Sequence, residues 1–387
     1  MKINELEVAG LNESSHPINI KFNDDINIIT GRNGSGKTTI LKLMWYCISA
    51  NIERALREIH FTNVKIVTSK YTLQVERSKS KNRELVRFII SKPTGEILFD
   101  KKEPINRGET VEEANEITVG MLDTSIFFPT FRRIEGGFSM DEDVGSRARR
   151  VFRSGSEFVI GESEGFGSQI QEALESHADR LSVGNHKFVS SISTVDISQL
   201  VTRKHSDATT KVNDYSKSLS EKIFTEIRSY RQLGSKEKDA LKDAVSTLDK
   251  INQDVVELEL VRENAFKSLS VLSNIIVTIF KHKGIRLNPR VTLGDIDQSI
   301  NSDSLSAGEK QMLSFLCYNA LYNDCPFFID EPELSLHVDW QRILLDVMIE
   351  QKTNNQLFIA THSPFIYTQY EDKEIMIGTD RGDLNGG

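Results

Sequence analysis

Residues 31–39 read Gly-Arg-Asn-Gly-Ser-Gly-Lys-Thr-Thr, and this stretch restricts the fold more tightly than any other part of the chain. The pattern G-x-x-x-x-G-K-[ST] wraps phosphate oxygens with backbone N–H groups, and glycine lets that backbone come close. The flanks decide whether the match is more than a glycine-rich turn. Upstream, Asp25-Ile26-Asn27-Ile28-Ile29-Thr30 has the length and apolar content of a short buried strand. Downstream, Thr38 to Ala50 reads as an apolar helix. Strand, loop and helix in that order aim a helix N-terminus at an anion. Lys37 would then reach the β- and γ-phosphates of a nucleotide, and the Thr38 hydroxyl would sit on Mg²⁺. Asn33, Gly34, Ser35, Gly36 and Thr39 complete the expected cradle.

Two later segments also set polar residues at the end of an apolar run. Pro326-Phe327-Phe328-Ile329 has the composition of a strand buried on both faces, and Asp330 and Glu331 follow it. The first carboxylate suits a Mg²⁺ shell, and the second suits orienting an attacking water. Adjacent residues point in different directions, so the two can divide these roles. Taken alone, Asp330-Glu331-Pro332 reads equally well as an acidic turn; the glycine loop upstream favours the catalytic reading. Gln356-Leu357-Phe358-Ile359-Ala360 is a second such run, ending in Thr361-His362-Ser363 about 30 residues later. Ligands of open parallel sheets sit at the carboxyl ends of the strands. His362 is therefore expected at a γ-phosphate, the alternative being an ordinary surface histidine.

Gly31–Thr39, Leu305–Gln311 (Leu-Ser-Ala-Gly-Glu-Lys-Gln), Phe327–His337 and Thr361–Ser363 together resemble the ATP-binding cassette superfamily. The likeness is to its soluble branch, the SMC-, RecF- and OLD-like ATPases, more than to transporter subunits. It covers about the first 60 and the last 100 residues closely and the middle hardly at all. The resemblance implies an α/β fold, an ABC-type P-loop ATPase head with a mixed sheet, flanking helices and a helical insertion. It implies ATP and Mg²⁺ as ligands, Lys37, Glu331 and His362 as catalytic residues, and Thr38 and Asp330 at the metal. Ser306, Ala307 and Gly308 fall in the family's signature loop, which crosses a dimer to the γ-phosphate bound by the partner subunit. Ala307 stands where Gly is commoner and Glu309 where Gln is frequent, and both read as marks of the soluble branch. Glu333–His337 takes the place of the dimer-facing loop. No residue is assigned to the glutamine that usually ends a strand between the glycine loop and the helical lobe. No aromatic residue is assigned to stack on adenine, so the preference for ATP comes from the resemblance alone.

At 387 residues the chain can bury a large core. Cys47, Cys317 and Cys325 form no C-x-x-C pair, which argues against a zinc hook or a disulfide framework. No apolar run has the ~18–20 residues of a membrane span, and no signal peptide is evident, so a cytoplasmic protein without membrane contact is expected. The net charge of −8 argues against nucleic-acid affinity over the whole surface, though not against a local basic groove. Residues 1–135 are expected to form the first part of the head, 136–282 a loop and helical insertion or short coiled-coil arm, and 283–387 the second part of the head. Lys2–Val8, Tyr71–Glu76, Arg83–Ser91 and Glu96–Phe99 read as strands. The Gly-, Ser- and acid-rich stretch 138–168 reads as a loop, and 168–282 as helical. Ala244, Leu248, Ile251, Val255 and Leu258 step by four and three, an a/d seam on a helix of roughly 40 Å over 236–262. Core packing inside a helical lobe is the preferred reading of that seam, with a projecting antiparallel pair as the alternative.

Phe127-Phe128-Pro129-Thr130-Phe131-Arg132-Arg133 joins three aromatic residues to paired arginines. Arg132 or Arg133 could meet a phosphate, a partner subunit or nucleic acid, or simply end a strand in water. His177, His186, His205 and His282 lack metal-ligand spacing. Only 24 residues follow Ser363, and they carry no second catalytic cluster. By its resemblance to the ATPase components of bacterial anti-phage systems of the PARIS and Septu types, the chain is expected to form a homodimer or larger homo-oligomer. It would control a separately encoded effector, a nuclease or toxin, in response to nucleic acid or a phage protein. The effector or a sensor would dock on 168–282 or the 138–168 loop. The competing readings are a RecF- or SMC-like DNA-repair ATPase and a nucleotide-gated scaffold with slow hydrolysis; a transporter ATPase is more distant.

Overall fold

The computed structural model describes residues 1–14, 16–80, 83–105, 108–121, 123–130, 176–189, 194–232, 237–279 and 305–378. Arg132, Arg133, His282 and the 138–168 stretch lie outside these residues. The chain divides into two compact units. The first comprises Met1–Ile192, Asn323–Leu345 and Asn354–Gly387, and the second Ser193–Tyr322 and Asp346–Thr353.

The first unit carries two six-stranded sheets. One is antiparallel, in the order β2 (Ile18–Lys21), β1 (Ile3–Ala9), β4 (Asn63–Thr68), β5 (Thr72–Ser80), β6 (Arg83–Ser91) and β7 (Ile97–Pro104). Alternation along β1 buries Leu6 and Val8, with Ile3 also buried beyond a register shift before Glu5, and along β4 buries Val64 and Ile66, which is the period of a half-buried strand. The strands expected from alternation at 2–8, 71–76, 83–91 and 96–99 all lie here.

The second sheet is parallel throughout, in the order β12 (Glu374–Met376), β3 (Ile26–Thr30), β11 (Gln356–Ala360), β10 (Pro326–Asp330), β8 (Thr124–Phe128) and β9 (Asn185–Phe188). β3, β10 and β11 are buried along their whole length, as parallel strands covered on both faces must be. Phenylalanines fill both sides. Phe328 stacks on Phe358 at 4.9 Å and lies 6.1 Å from Phe127, which meets Trp45 at 5.3 Å. On the other face Phe128 meets Phe327 at 5.4 Å. Trp45 belongs to α1 (Lys37–Ile48), a helix with nine of its twelve residues buried, so apolar nearly all round that it can exist only inside a core. α2 (Ile52–Glu58) and α3 (Glu109–Gly120) bury one face each.

β9 corrects the helical reading of 168–282. Residues 185–188 form the edge of the parallel sheet, and the first unit runs to Ile192, well past the boundary expected at 135. The local signal was weak because Asn185-His186-Lys187-Phe188 is polar, and its pairing comes from β8. Ser125 and His186 are register partners there, with Ser125 Oγ 2.8 Å from His186 Nδ1 and both side chains buried.

The second unit is helical. α4 (Thr194–Gln232) and α5 (Glu237–Ile279) pair with each other, and both pack on α6 (Ala307–Leu321). The contacts His205–Phe266 and Lys222–Asp254 advance along α4 while retreating along α5, so the helices are antiparallel. Each is about 60 Å long at 1.5 Å per residue, longer than the 40 Å expected. The seam also differs. Leu248 and Val255 are 64% and 45% exposed, so they do not pack in a lobe core. The inward face of α5 runs through Ile251, Asp254, Leu258, Val261, Ala265, Leu269, Leu272 and Ile276, again in steps of three and four. Asp254 is admitted to this face because Lys222 of α4 reaches it at 2.7 Å. Ile251 and Leu258 of the expected seam do lie on this face; a count of apolar residues passes over the charged Asp254 and takes the neighbouring Val255 instead. Among the described residues, no helix is long and apolar enough to cross a membrane.

Burial pushes the His186 imidazole down to about 4, so the ring is neutral in the fold at pH 5–8. The unfolded chain takes up its proton below about 6.5. The folded value is the lower one, so this contribution to stability is complete above pH 6.5 and is lost as pH falls towards 4. The loss amounts to about 3 kcal/mol at 1.36 kcal/mol per pH unit. His186→Gln keeps a polar partner for Ser125 and removes the titration. The gap in unfolding free energy between wild type and His186→Gln should therefore narrow by about 2–3 kcal/mol between pH 7 and 4.5. Urea denaturation at both pH values measures it, and a gap independent of pH would show that His186 does not titrate in this range.

Candidate functional site

Four neighbouring strands of the parallel sheet, β3, β11, β10 and β8, bring four loops to one edge. Ile29 pairs with Ala360, Ala360 with Asp330, and Ile329 with Phe128, so the strand ends are level. The glycine loop leaves β3, Thr361-His362 leaves β11, Glu331 leaves β10 and Pro129-Thr130 leaves β8. Apolar side chains fill the sheet interior, which leaves these ends as the place for polar chemistry.

The glycine loop needs its glycines. Gly31 has φ 145°, and a Cβ there would lie 2.4 Å from the carbonyl oxygen of Ile377. Gly36 has φ 97° and begins α1, where no side-chain cap competes for the first turn. Asn33 and Gly34 are exposed on the loop, and Thr39 is half-buried in the first turn of α1. Ser35 Oγ is buried and has no hydrogen-bond partner among the described residues. An orphaned hydroxyl beside a helix N-terminus and a lysine fits a phosphate oxygen.

Lys37 is 5% exposed. Its ammonium donates to Gly31 O at 3.1 Å, to Arg32 O at 3.2 Å and to His362 Nε2 at 2.6 Å. A charged lysine has only donors, so Nε2 is the acceptor and the ring proton sits on Nδ1. Burial pulls the Lys37 pKa down, and the carboxylates of Glu331, Asp330 and Glu333, in that order, oppose it. Burial likewise lowers His362, helped by Lys37 and opposed by Glu331 and Asp330.

Asp330 ends β10, and its Oδ1 accepts the Thr38 hydroxyl at 2.8 Å. Its Oδ2 accepts the Thr130 hydroxyl at 2.5 Å. A carboxylate flanked by hydroxyl oxygens suits a hard cation such as Mg²⁺, which selects oxygen ligands. Glu331 has left-handed backbone, φ 49° and ψ 57°, while its N–H donates to Ala360 O at 2.8 Å. That conformation costs a non-glycine residue about 1–2 kcal/mol. It turns the chain off the strand, and Pro332 opens the short turn Pro332–Leu334 that follows.

Glu333 and Thr130 were missed by motif reading. Glu333 Oε1 accepts the backbone N–H of His362 at 2.6 Å, fixing the end of β11 to the turn after β10. Burial raises its pKa, and bonds from His362 N–H and the Thr361 hydroxyl pull the other way. Gln341, on α7 (Val338–Glu350), makes a second tie: its amide donates to Leu336 O at 2.8 Å and its carbonyl accepts the Ser363 hydroxyl at 2.6 Å. Ser363 also caps α8 (Pro364–Tyr367). The third carboxylate of the Asp-Glu-Pro-Glu run was the one available signal for Glu333. Thr130 had none, since a lone threonine after a proline matches no motif.

The structure thus brings together Lys37, Thr38, Asp330, Glu331 and His362. Ser306, Ala307 and Gly308 belong to the second unit, at the start of α6. Ser306 is exposed and caps that helix: its Oγ accepts Glu309 N–H at 3.3 Å, and the Glu309 carboxylate accepts Ser306 N–H at 2.7 Å. This capping box gives Glu309 a local role.

Glu333→Ala removes the acceptor for His362 N–H, whereas Glu333→Gln keeps one. We expect Glu333→Ala to lower unfolding free energy by about 1–3 kcal/mol, the cost of a buried donor left unpaired, and Glu333→Gln to lower it by less. Chemical denaturation at pH 7.5 distinguishes them, and equal losses would remove the hydrogen bond as the cause.

Residues 1–367 match the AAA ATPase domain family. The chain is 31% identical over 132 residues to Endonuclease GajA of Bacillus cereus (strain VD045), a match spanning 33% of this chain and 20% of that protein. Among solved structures it is similar to an Smc head domain with an extended coiled coil, bound to the C-terminal domain of ScpA, from Pyrococcus furiosus. That match has 15% identity over 95% of this chain and 91% of the other, with a TM-score of 0.35. It is also similar to an SmcHead bound to the C-winged helix domain of ScpA, with 13% identity over 99% and 95% and a TM-score of 0.39. The family match takes in the whole site, from Gly31 to His362, and the chain belongs to the AAA ATPase domain family.

Proposed function

We propose that this chain binds ATP with Mg²⁺ and hydrolyses it to ADP and phosphate. The observation that carries the reading is the meeting of Lys37, Thr38, Asp330, Glu331 and His362 at one edge of the parallel sheet. Lys37 and the loop residues Asn33 to Thr39 hold the β- and γ-phosphates. Thr38 and Asp330 hold the metal, whose charge offsets that on the phosphate oxygens. Glu331 orients a water and takes its proton as the water oxygen bonds to the γ-phosphorus and the bond to the bridging oxygen breaks. His362 donates to the γ-phosphate, for which its Nε2 must leave Lys37 and carry a proton.

The site is completed, in this proposal, by Ser306, Ala307 and Gly308 of a second copy, so the active form is a homodimer or larger homo-oligomer. The exposed Ser306 at the start of a helix is suited to a phosphate carried by another subunit. The output is control of a nuclease or toxin effector, encoded separately, in anti-phage defence, with nucleic acid or a phage protein as trigger. This part rests on the family resemblance of the motifs and on the partial likeness to a protein named an endonuclease.

Glu331→Gln should bind ATP normally and cut turnover by about 10²–10³-fold, the scale of one general base. Lys37→Ala should weaken nucleotide binding instead. Normal hydrolysis by Glu331→Gln would remove Glu331 from the mechanism. For shared sites, Lys37→Ala and Ser306→Arg proteins should each be inactive, and mixing them should restore part of the activity. No recovery at any ratio, with mixed dimers verified by native mass spectrometry, would count against composite sites. Co-purification with products of neighbouring genes, with and without ATP, tests the effector.

A further inference from the structure

We propose that Thr130 is a positioning residue of the cation site, holding the Asp330 carboxylate so that its other oxygen faces Thr38 and the metal. The inference rests on the reading of this edge as a Mg²⁺–nucleotide site.

β8 lies beside β10 in parallel register, Phe128 level with Ile329, so Thr130 emerges next to Asp330 although 200 residues separate them. Its hydroxyl donates to Oδ2 at 2.5 Å, and the Thr38 hydroxyl donates to Oδ1 at 2.8 Å. One carboxylate is thus held at both oxygens, by a threonine in the first turn of α1 and a threonine in the loop after β8. Carboxylate χ2 is a broad, soft torsion, and one hydrogen bond leaves it free to swing about the occupied oxygen. Two, one on each oxygen, fix the plane. Each carboxylate oxygen has two lone pairs, so both threonines can stay bonded while Asp330 keeps acceptor capacity for a metal or its water. Mg²⁺ demands near-ideal octahedral geometry at about 2.0–2.1 Å, which makes its affinity sensitive to the orientation of each ligand. Proline before Thr130 restricts the approach further, since its fixed φ stiffens the chain that carries the hydroxyl.

The test uses the full chain and a fluorescent ATP analogue. Nucleotide binding is followed while Mg²⁺ is titrated, and again in excess EDTA, for wild type, Thr130→Val and Thr130→Ser. Valine matches threonine in shape and lacks the hydroxyl; serine keeps it. Thr130→Val should raise the Mg²⁺ concentration at half-saturation about tenfold, as expected for one hydrogen bond to a charged group. Its binding in EDTA should stay within about twofold of wild type, because the phosphate loop is untouched. Thr130→Ser should follow wild type. A Thr130→Val curve that superimposes on wild type overturns the assignment. So does a loss shared equally by the Mg²⁺ and EDTA measurements, which would mark a general distortion. Wild-type protein that binds the analogue in neither condition would overturn the nucleotide site itself, an outcome separate from failure at Thr130 alone.

Discussion

The parallel pairing of β3, β11, β10 and β8 is the constraint on which the site depends. Residues from four regions, spread over more than 300 positions, reach one edge because four strands run the same way and end at the same level. The phenylalanines at 127, 128, 327, 328 and 358 hold that register by filling both faces. Slipping a strand by one residue would exchange its two faces and carry its terminal polar residue out of line. The core and the chemistry are therefore set by the same pairing.

At the edge itself the balance is electrostatic. Three carboxylates, Asp330, Glu331 and Glu333, surround one buried lysine and oppose the tendency of burial to discharge it. Each carboxylate is engaged differently: Asp330 by two hydroxyls, Glu333 by the backbone of His362, and Glu331 by the turn that sets its backbone left-handed. A cluster of like charges stays ordered only when each member has its own donors or counter-charge. The Lys37–His362 contact supplies part of this order and joins the first and last of the motifs.

The helical unit follows another logic. Its paired helices bury a stripe that accepts Asp254 because Lys222 neutralises it, and they leave Leu248 and Val255 in water. At α6, the Ser306–Glu309 capping box fixes the start of the helix with the same serine that the motif assigns to phosphate. One residue can serve both ends because a hydroxyl that accepts from Glu309 N–H still has its proton to donate.

Much of the first unit was legible in the chain itself. The glycine loop, its strand and helix, the acidic pair after 326–329, and the histidine after 356–360 each combine a short apolar run with a change to polar residues. That contrast is local and needs no partner to be read. The alternating strands of the antiparallel sheet were legible for the same reason. β9 was not, because 185–188 is polar and becomes a strand only beside β8. The α5 seam was legible at Ile251 and Leu258 but took Val255 for Asp254, because a buried aspartate is admissible only with its lysine on another helix. Thr130 and Glu333 took their places through contacts with Asp330 and His362, over 200 and 29 residues. Sequence periodicity determined the elements and the motif residues they carry; tertiary structure decided which polar groups meet, since a hydrogen bond between strand ends depends on sheet order and register, and neither is written in local composition.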